Sequence, residues 1–334
     1  TVAGSVSEPA GRLAALCAEP FGAVLAMIAG WCAGQSWATL ATPTGWVGAA
    51  LVVAAGGLAG GALHRWGLRR ALGAVSALLA VALLLARPPP VPRDWIAAAC
   101  DVGQGDAFAV RVGPRAAVLI DTGPDAEQLT DCLERLGVGE VPMLVLTHFD
   151  TDHVAATAAV LASYGTRTVV VSPVGEPAAN AAAVEALAAD ADVAQVAARP
   201  GMRLHVGPAT LTVLWPQRVI RGVGSTPNQA SVVLRAEVDG MSVLLTGDIE
   251  PAAQRALLST PGLPLDVDVL KVPHHGSDDQ HPDFLTATTP AIALVTVGPD
   301  NTYGHPGAQT LDHLASLGAV VARTDEDGHV ALVA

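Results

Sequence analysis

The sequence predicts an α/β domain of two mixed sheets with helices outside, preceded by two or three transmembrane helices. Three observations lead to this prediction. Residues 20–64 contain no Asp, Glu, Lys or Arg. Residues 88–92 read Pro-Pro-Pro-Val-Pro. Beyond them, short runs rich in Val, Ile and Leu alternate with stretches rich in Ala and Leu, as in proteins whose strands alternate with helices.

Residues 1–87 are predicted to form a multi-pass membrane segment. With 51% apolar and only 15% charged residues, the chain is too hydrophobic for one soluble domain. Apolar runs of about the length needed to cross a bilayer lie at residues 21–41, 46–63 and 71–86. Because the proline run cannot continue a helix, residues 88–95 are predicted to be a linker and residues 96–334 a separate domain.

The orientation of the membrane segment depends on the third run, which has only sixteen residues. Arg65, Arg69 and Arg70 lie between the second and third runs without an acidic neighbour. The positive-inside rule therefore places that loop in the cytoplasm, and three spans put residues 96–334 on the extracytoplasmic side of the cell membrane. If the third run is not a span, the orientation reverses. The numbering opens at Thr1, so we expect the chain to be part of a longer protein.

The charge of the predicted domain limits its partners. Residues 96–334 hold twelve basic and twenty-eight acidic residues, a net charge of −16. Because neutralisation of phosphates supplies most non-specific affinity for nucleic acid, a broad basic DNA-binding surface is excluded. A nucleic-acid substrate would depend on metal ions and on local patches.

The four cysteines, Cys17, Cys32, Cys100 and Cys132, form no CxxC pair. We interpret all four as small buried apolar residues.

Eleven strands and five helices are predicted in the domain. The strands end in Gly, Asp or Pro and are residues 96–102, 107–112, 117–121, 143–147, 168–172, 211–214, 231–237, 242–246, 267–272, 292–297 and 320–323. The helices are residues 125–136, 154–164, 178–189, 250–258 and 308–317.

The strongest chemical signal is His148-Phe-Asp150-Thr-Asp152-His153, which follows a predicted strand. Four side chains that can bind metal within six residues are atypical of a solvated polar loop. The first two can converge on one ion while the last two reach a second, which is the arrangement of a two-metal hydrolase.

This pattern resembles the HxHxDH motif of the metallo-β-lactamase superfamily, with Asp150 in place of the second histidine. The segments Asp121-Thr-Gly and Thr246-Gly-Asp248 match as well. The resemblance narrows to the ComEC family of competence proteins, whose segments occur here in the same order: Asp101-Val-Gly-Gln-Gly-Asp106, Asn228-x-x-Ser231, Leu245-Thr-Gly-Asp248, Lys271-Val-Pro-His-His-Gly-Ser277 and Asn301-x-Tyr303-Gly-His305-Pro306. It covers essentially residues 97–333 and implies a metallo-β-lactamase-type αββα sandwich.

The ComEC resemblance implies the membrane-anchored, metal-dependent nuclease domain of a protein for DNA uptake in natural transformation. Its implied partners are DNA, expected to be single-stranded, the membrane, other DNA-uptake proteins and an N-terminal part of the same protein. Two alternatives stay open, because a fold does not fix a substrate. One is a hydrolase of a small ester, lactam or thioester, and the other is a non-catalytic DNA-threading module.

The resemblance also implies a set of metal ligands. His148 and Asp150 would bind one metal, Asp152 and His153 the other, and Asp248 would bridge both. Replacing imidazole by carboxylate makes the site harder and more anionic, so manganese or magnesium is favoured over zinc as the pair of divalent ions.

His274 and His275 are adjacent, so their side chains point in different directions. We expect one to bind metal and the other to face the substrate or donate a proton. His274 is slightly favoured as the ligand, and His275 is expected to act with Asp152 and Asp248 in catalysis.

Several other residues are expected to support the site or to contact substrate. Asp121 is better placed to fix a histidine ligand than to bind metal itself. The superfamily usually has a further histidine before the bridging aspartate, but residues 154–247 contain only His205, which lacks a motif. Asn228 is expected to fill that place or to hold a water. The remaining candidates are Asp106, Ser277 and His305.

Overall fold

The computed structural model describes residues 91–333. The predicted spans at residues 21–41, 46–63 and 71–86 lie outside the described residues, as do Cys17 and Cys32 and the first part of the predicted linker. Within the described part, no helix has the length and apolar character needed to cross a membrane. The first strand begins at Trp95, one residue before the predicted start of the domain.

The first sheet has seven strands in the order β14-β1-β2-β3-β4-β5-β6. The strands from β3 to β6 are parallel, and the others are antiparallel to their neighbours. Their bounds are β1 Trp95–Ala99, β2 Phe108–Gly113, β3 Ala116–Ile120, β4 Glu140–Leu146, β5 Thr168–Val171, β6 Ala194–Ala197 and β14 Val330–Val333.

The second sheet also has seven strands, in the order β13-β12-β11-β10-β9-β8-β7. The strands from β10 to β13 are parallel, and β7 to β10 are antiparallel. Their bounds are β7 Arg203–Val206, β8 Ala209–Trp215, β9 Val233–Val238, β10 Met241–Leu245, β11 Val269–Lys271, β12 Ile292–Val295 and β13 Val320–Arg323.

Helices cover the outer faces of the two sheets. In the described part of the chain they are α1 Ala126–Arg135, α2 Thr151–Val154, α3 Thr157–Ser163, α4 Ala178–Asp190, α5 Thr226–Gln229, α6 Pro251–Leu258, α7 Pro282–Thr288, α8 Ala308–Ser316 and α9 Thr324–Asp327, with a 3₁₀ turn at Pro273–Gly276.

The apolar core forms three layers, as expected for an αββα sandwich. Phe108 and Ile120 of the first sheet pack between the sheets with Leu211 and Leu234 of the second. A second layer lies under α1, α3 and α4, and a third lies under α6, α7 and α8. Because neighbouring residues of a strand face opposite sides, one strand serves two layers. The predicted two-sheet α/β fold is confirmed.

All eleven predicted strands are present, but the sequence prediction missed β6, β7 and β14. β6 is short and mostly exposed, so it lacks the apolar pattern on which the prediction relied. Of the helix predicted at residues 154–164, residues 157–163 form α3, and Val154 is the last residue of the short helix α2. The Ala156 N–H, between them, donates to the Gly123 carbonyl (3.2 Å), which binds this point to the loop after β3.

The interpretation of all cysteines as unpaired residues was wrong for two of them. Cys100, after β1, and Cys132, in α1, form a disulfide. Both are buried, as predicted. Their separation of 32 residues carries no pairing motif, and only the packing of α1 against β1 brings them together.

Candidate metal centre

The chemistry-bearing residues meet where strands of the two sheets end. Asp121 follows β3, the His148–His153 segment follows β4, and Asp248 follows β10. The Val232 N–H donates to the Thr147 carbonyl (2.8 Å), which joins the end of β4 to the start of β9. Parallel strands carry their carboxyl ends to the same edge, so loops from both sheets face one another here.

A glycine permits this close approach. Gly247 has a φ of +52°, and a Cβ on it would lie 2.9 Å from the Thr147 Cβ. A larger residue would force the two loops apart, so the Thr246-Gly-Asp248 segment requires glycine at its centre.

Four residues, Asp152, His153, Asp248 and His275, form what we call the inner group. Their ligand atoms all lie within 4.8 Å of one another. The Asp248 Oδ2 is 3.3 Å from the His153 Nε2 and 3.2 Å from the His275 Nε2. The Asp152 Oδ2 is 3.3 Å from the His275 Nε2. Both Nε2 atoms are buried without a hydrogen-bond partner, and with two carboxylates they form a donor set that fits a divalent metal ion.

The two imidazoles of the inner group are held from behind. The His153 Nδ1 is 2.9 Å from the Asp121 carboxylate, which also accepts from the N–H and hydroxyl of Thr147, both at 2.7 Å. The His275 Nδ1 is 2.9 Å from the Thr296 carbonyl, so it donates there. With Nδ1 protonated and bonded, each ring presents its Nε2 lone pair to the centre of the group.

A buried ion pair lies beside the inner group. The Asp106 carboxylate contacts the Lys271 Nζ and the Thr296 hydroxyl, and lies 3.2 Å from the His275 Nδ1. The Lys271 Nζ donates to the Gly247 carbonyl (3.1 Å) and lies 3.4 Å from the Asp248 Oδ1. Burial opposes the charged ammonium, but Asp106 and Asp248 hold the pKa of Lys271 above its ordinary value. Lys271 thus holds the Oδ1 of Asp248, while the Oδ2 of the same carboxylate faces the two histidines.

The inner group carries an excess of negative charge. Burial disfavours charge on both imidazoles, yet Asp248 and its neighbouring carboxylates raise the pKa of His153 and of His275 well above the ordinary value. Burial likewise opposes ionisation of Asp248, but His275, His153 and Lys271 hold its pKa well below the usual range. Such an environment favours cations over neutral molecules.

His148 and Asp150 form what we call the outer group. The His148 Nε2 lies 3.4 Å from the Asp150 Oδ2 and has no hydrogen-bond partner. The His148 Nδ1 contacts the hydroxyls of Thr147 (3.1 Å) and Ser231 (3.2 Å). The side chain of Asp150 is 34% exposed. The His148 and His153 rings are 4.0 Å apart between centroids, so the two groups are adjacent.

The structure separates His274 from His275. His275 belongs to the inner group. His274 does not, and its Nδ1 is buried without a hydrogen-bond partner. Both residues have a positive φ, 50° and 52°. Backbone strain of this kind in residues other than glycine concentrates at functional sites. The sequence favoured His274 slightly as the ligand; the roles of the two histidines stay predictions.

Comparison with known proteins identifies the family. Residues 100–281 match the family model described as the Metallo-beta-lactamase superfamily. The chain belongs to this superfamily. Its members bind divalent metals and are generally hydrolases, in agreement with the inner group's donor set.

Two curated relatives confirm the resemblance to ComEC-family proteins. ComE operon protein 3 of Bacillus subtilis (strain 168) is 30% identical over 253 residues, which are 69% of this chain and 32% of that protein. Competence protein ComA of Neisseria gonorrhoeae is 29% identical over 256 residues, which are 75% of this chain and 34% of that protein. The chain therefore spans about a third of the length of these relatives.

A solved structure supports the superfamily fold. CmlA, a diiron beta-hydroxylase from Streptomyces venezuelae, matches with a TM-score of 0.50 and 14% identity, over 83% of this chain and 59% of that chain. At this level of identity the likeness concerns the fold alone.

The sequence offers no candidate for the histidine that usually precedes the bridging aspartate, and the structure shows where the two residues considered for that place lie. His205 lies exposed on β7, where its Nδ1 contacts the Thr210 hydroxyl (3.1 Å). Asn228 is buried, but its amide is bonded to Ser225 (3.1 Å) and to Glu250 (3.4 Å). Its side chain is therefore engaged with the residue before α5 and with the residue before α6.

Two more predicted residues lie near His274 and His275. The Ser277 hydroxyl accepts from the Asp279 N–H (3.1 Å) and so shapes the turn after His275. The His305 ring is 5.3 Å from the His274 ring, and burial together with His274 lowers the pKa of His305.

Sequence reasoning gave no role to four residues that hold the site, Thr147, Ser231, Lys271 and Thr296. The signal that was present is a lysine at the end of an apolar strand, directly before Val-Pro-His-His, since lysine is almost never fully buried unless paired. Ser231 stood in the Asn228-x-x-Ser231 segment, and its hydroxyl accepts from the Asp248 N–H (3.2 Å) while it contacts His148.

Proposed function

We propose that this domain is a metal-dependent nuclease that hydrolyses DNA phosphodiesters with two divalent ions, as part of a DNA-uptake protein. The observation that carries the proposal is the convergence of two buried, unpartnered imidazole Nε2 atoms on two carboxylates. The identity of the relatives as competence proteins supports DNA as the substrate.

The two groups would divide the ions between them. The inner group would hold one ion through Asp152, His153, Asp248 and His275. His148 and Asp150 would hold the other, and Asp248 would reach both. Ions bound in this way lower the pKa of a water and stabilise the negative charge that builds on a phosphoryl oxygen.

The protein's own side chains would prepare the reaction. Asp152 is partly exposed, so its carboxylate can accept a proton from the attacking water. His153 and His275 are fixed by Asp121 and by the Thr296 carbonyl and orient the site. The carboxylates at 150, 152 and 248 make the donor set hard, which supports manganese or magnesium over zinc.

A second candidate function is hydrolysis of a small ester, lactam or thioester. The net charge of −16 over residues 96–334 favours it, because an acidic surface repels a long polyanion. A non-catalytic DNA-threading module is less well supported, since the unpartnered imidazole nitrogens of a complete donor set are present.

The test is cleavage by the full 334-residue chain, purified in detergent and freed of metal. We expect labelled single-stranded DNA to be cut after addition of manganese or magnesium and to stay intact without metal. The matched control is Asp248→Asn. A wild-type protein that binds two metals per chain but cuts only a chromogenic ester or lactam would overturn the nuclease proposal in favour of the second candidate.

We also propose that the domain is anchored to the cell membrane and lies on its extracytoplasmic side. The apolar runs before residue 88 and the Arg65, Arg69 and Arg70 loop support this orientation. The disulfide between Cys100 and Cys132 supports it independently, because disulfides persist in oxidising compartments. A reporter enzyme fused after Ala334 should be active only outside the cytoplasm; a cytoplasmic signal would overturn the orientation.

A further inference from the structure

One aromatic side chain in the described part of the domain differs from all the others. Residues 91–333 contain seven aromatic residues, and six of them, Trp95, Phe108, Phe149, Tyr164, Trp215 and Phe284, are at most 8% exposed. Tyr303 is 73% exposed. A tyrosine this exposed does not contribute to the hydrophobic core, and its ring is accessible to a ligand.

The backbone that presents Tyr303 is braced. Asn301 accepts, through its side-chain oxygen, from the N–H groups of Tyr303 (3.1 Å) and His305 (3.2 Å). Its side-chain amide donates to the His305 carbonyl (2.6 Å). Three hydrogen bonds from one side chain hold the turn in a fixed shape. The exposed ring therefore stands on a defined support, which reduces the entropy lost when it binds a partner.

This turn lies beside the metal centre. It follows β12, which is parallel to β11, so it lies at the edge where Lys271 ends its strand. The Tyr303 ring is nearly parallel to the His305 ring, with an interplanar angle of 16° and centroids 6.2 Å apart. The His305 ring in turn lies 5.3 Å from that of His274. A ligand that covers Tyr303 with a planar group is therefore close enough to reach the metal centre as well.

The negative charge of the domain limits which interactions can supply affinity for this ligand. With a net charge of −16 over residues 96–334, the protein cannot hold a polyanion through a broad basic surface. Stacking of bases on aromatic rings provides affinity without positive charge and tolerates any base sequence. A base in a duplex is already stacked on both faces by neighbouring bases, whereas an unpaired base has a face that can stack on an aromatic ring.

We propose that Tyr303 is a stacking platform for an unpaired nucleobase of the DNA strand whose phosphodiester lies at the metal centre. This inference rests on the proposed nuclease function and deepens it, because it assigns a nucleobase subsite and makes the site selective for single strands. Tyr303 thereby acts in substrate binding and leaves the chemical step to the metal ligands.

The test compares Tyr303→Ala and Tyr303→Phe with wild type in the full chain with manganese. On a single-stranded oligonucleotide, Tyr303→Ala should raise KM about 10-fold or more with little change in kcat, and Tyr303→Phe should stay near wild type, because the ring is what stacks. On an oligonucleotide whose internal residues are abasic, wild type and Tyr303→Ala should have the same KM. The matched control is Val320→Ala, an exposed apolar residue (66%) at the opposite, amino-terminal end of the parallel strand β13.

Binding gives a second readout that does not need cleavage. In the Asp248→Asn background, fluorescence anisotropy of a labelled single strand should show weaker binding after Tyr303→Ala, and the difference should vanish on the abasic strand. Equal KM and equal binding for Tyr303→Ala and wild type on the base-containing strand would overturn the stacking proposal even if DNA is cut. Absence of DNA cleavage by wild type would overturn the nuclease function, while the binding measurement would still decide the role of Tyr303.

Discussion

The inner and outer groups of the metal centre contain the same residue types but differ in what holds them. In the inner group, each histidine is fixed by a bond behind its ring, and Asp248 is braced by Lys271. In the outer group, His148 is held only by hydroxyls, and Asp150 is 34% exposed. Ligands that are already fixed lose less entropy when an ion binds. We therefore expect the inner group to hold its ion more tightly and the outer group to lose its ion first.

The largest effect is expected from Asp248→Asn, since we propose that Asp248 binds both ions. Asparagine keeps the size and one oxygen but not the charge, so both ions lose a ligand and repel each other more strongly. Removal of a residue that hydrogen-bonds a metal ligand typically lowers metal affinity or activity by about 10–100-fold. Removal of a ligand shared by two ions should lower them further. Elemental analysis beside nuclease activity measures this. Two metals per chain with wild-type cleavage would show that Asp248 does not bridge.

The second prediction separates the neighbouring histidines. His275→Ala removes a member of the inner group and should abolish binding of the tight ion, with a loss of activity of about 100-fold or more. His274→Ala should leave that ion in place and reduce activity less. Titration of each metal-free variant with manganese, monitored by calorimetry, distinguishes the two histidines. The reverse order of effects would assign the tight ion to His274 and would break the comparison between the groups.

The third prediction concerns the ion pair that braces the inner group. Lys271→Met leaves the Asp106 carboxylate buried without its cation, which should lower the free energy of unfolding by roughly 3–5 kcal/mol. Asp106→Asn combined with Lys271→Met should recover part of this loss, because neither charge is then left alone. Urea unfolding of the metal-free protein provides the measurement. An unchanged midpoint for Lys271→Met would mean that the ion pair does not support the site.

The smallest effect is expected from Asp150→His in the outer group. Imidazole is a softer ligand than carboxylate, so the variant should shift metal preference from manganese toward zinc while the inner ion stays bound. The fold should be unchanged, because the side chain of Asp150 is partly exposed. Competition between manganese and zinc, followed by elemental analysis, checks this. Unchanged selectivity in a folded variant would count against Asp150 as a ligand.

Local patterns determined much of the fold. All eleven strands read from apolar runs are present, and most of them are buried strands, which must be apolar along their length. β6 and β7 escaped notice, since these two edge strands are short, largely exposed and lack a continuous apolar run. The predicted helix at residues 154–164 begins only at Thr157, and a backbone contact to Gly123, distant in sequence, accompanies the break between α2 and α3.

The sequence by itself determined the candidate ligands from residue 148 to residue 153, because they are contiguous and chemically distinctive. Apart from Asp121, which the sequence analysis expected to fix a histidine ligand, only the tertiary structure decided which groups stand behind them. Asp106 is far in sequence from Lys271 and Thr296, and the contact among them exists only because β11 and β12 end beside the loop that precedes β2. The disulfide between Cys100 and Cys132 and the separation of His275 from His274 were decided in the same way. Pairing and side-chain direction depend on packing between distant segments, and local sequence spacing does not encode that.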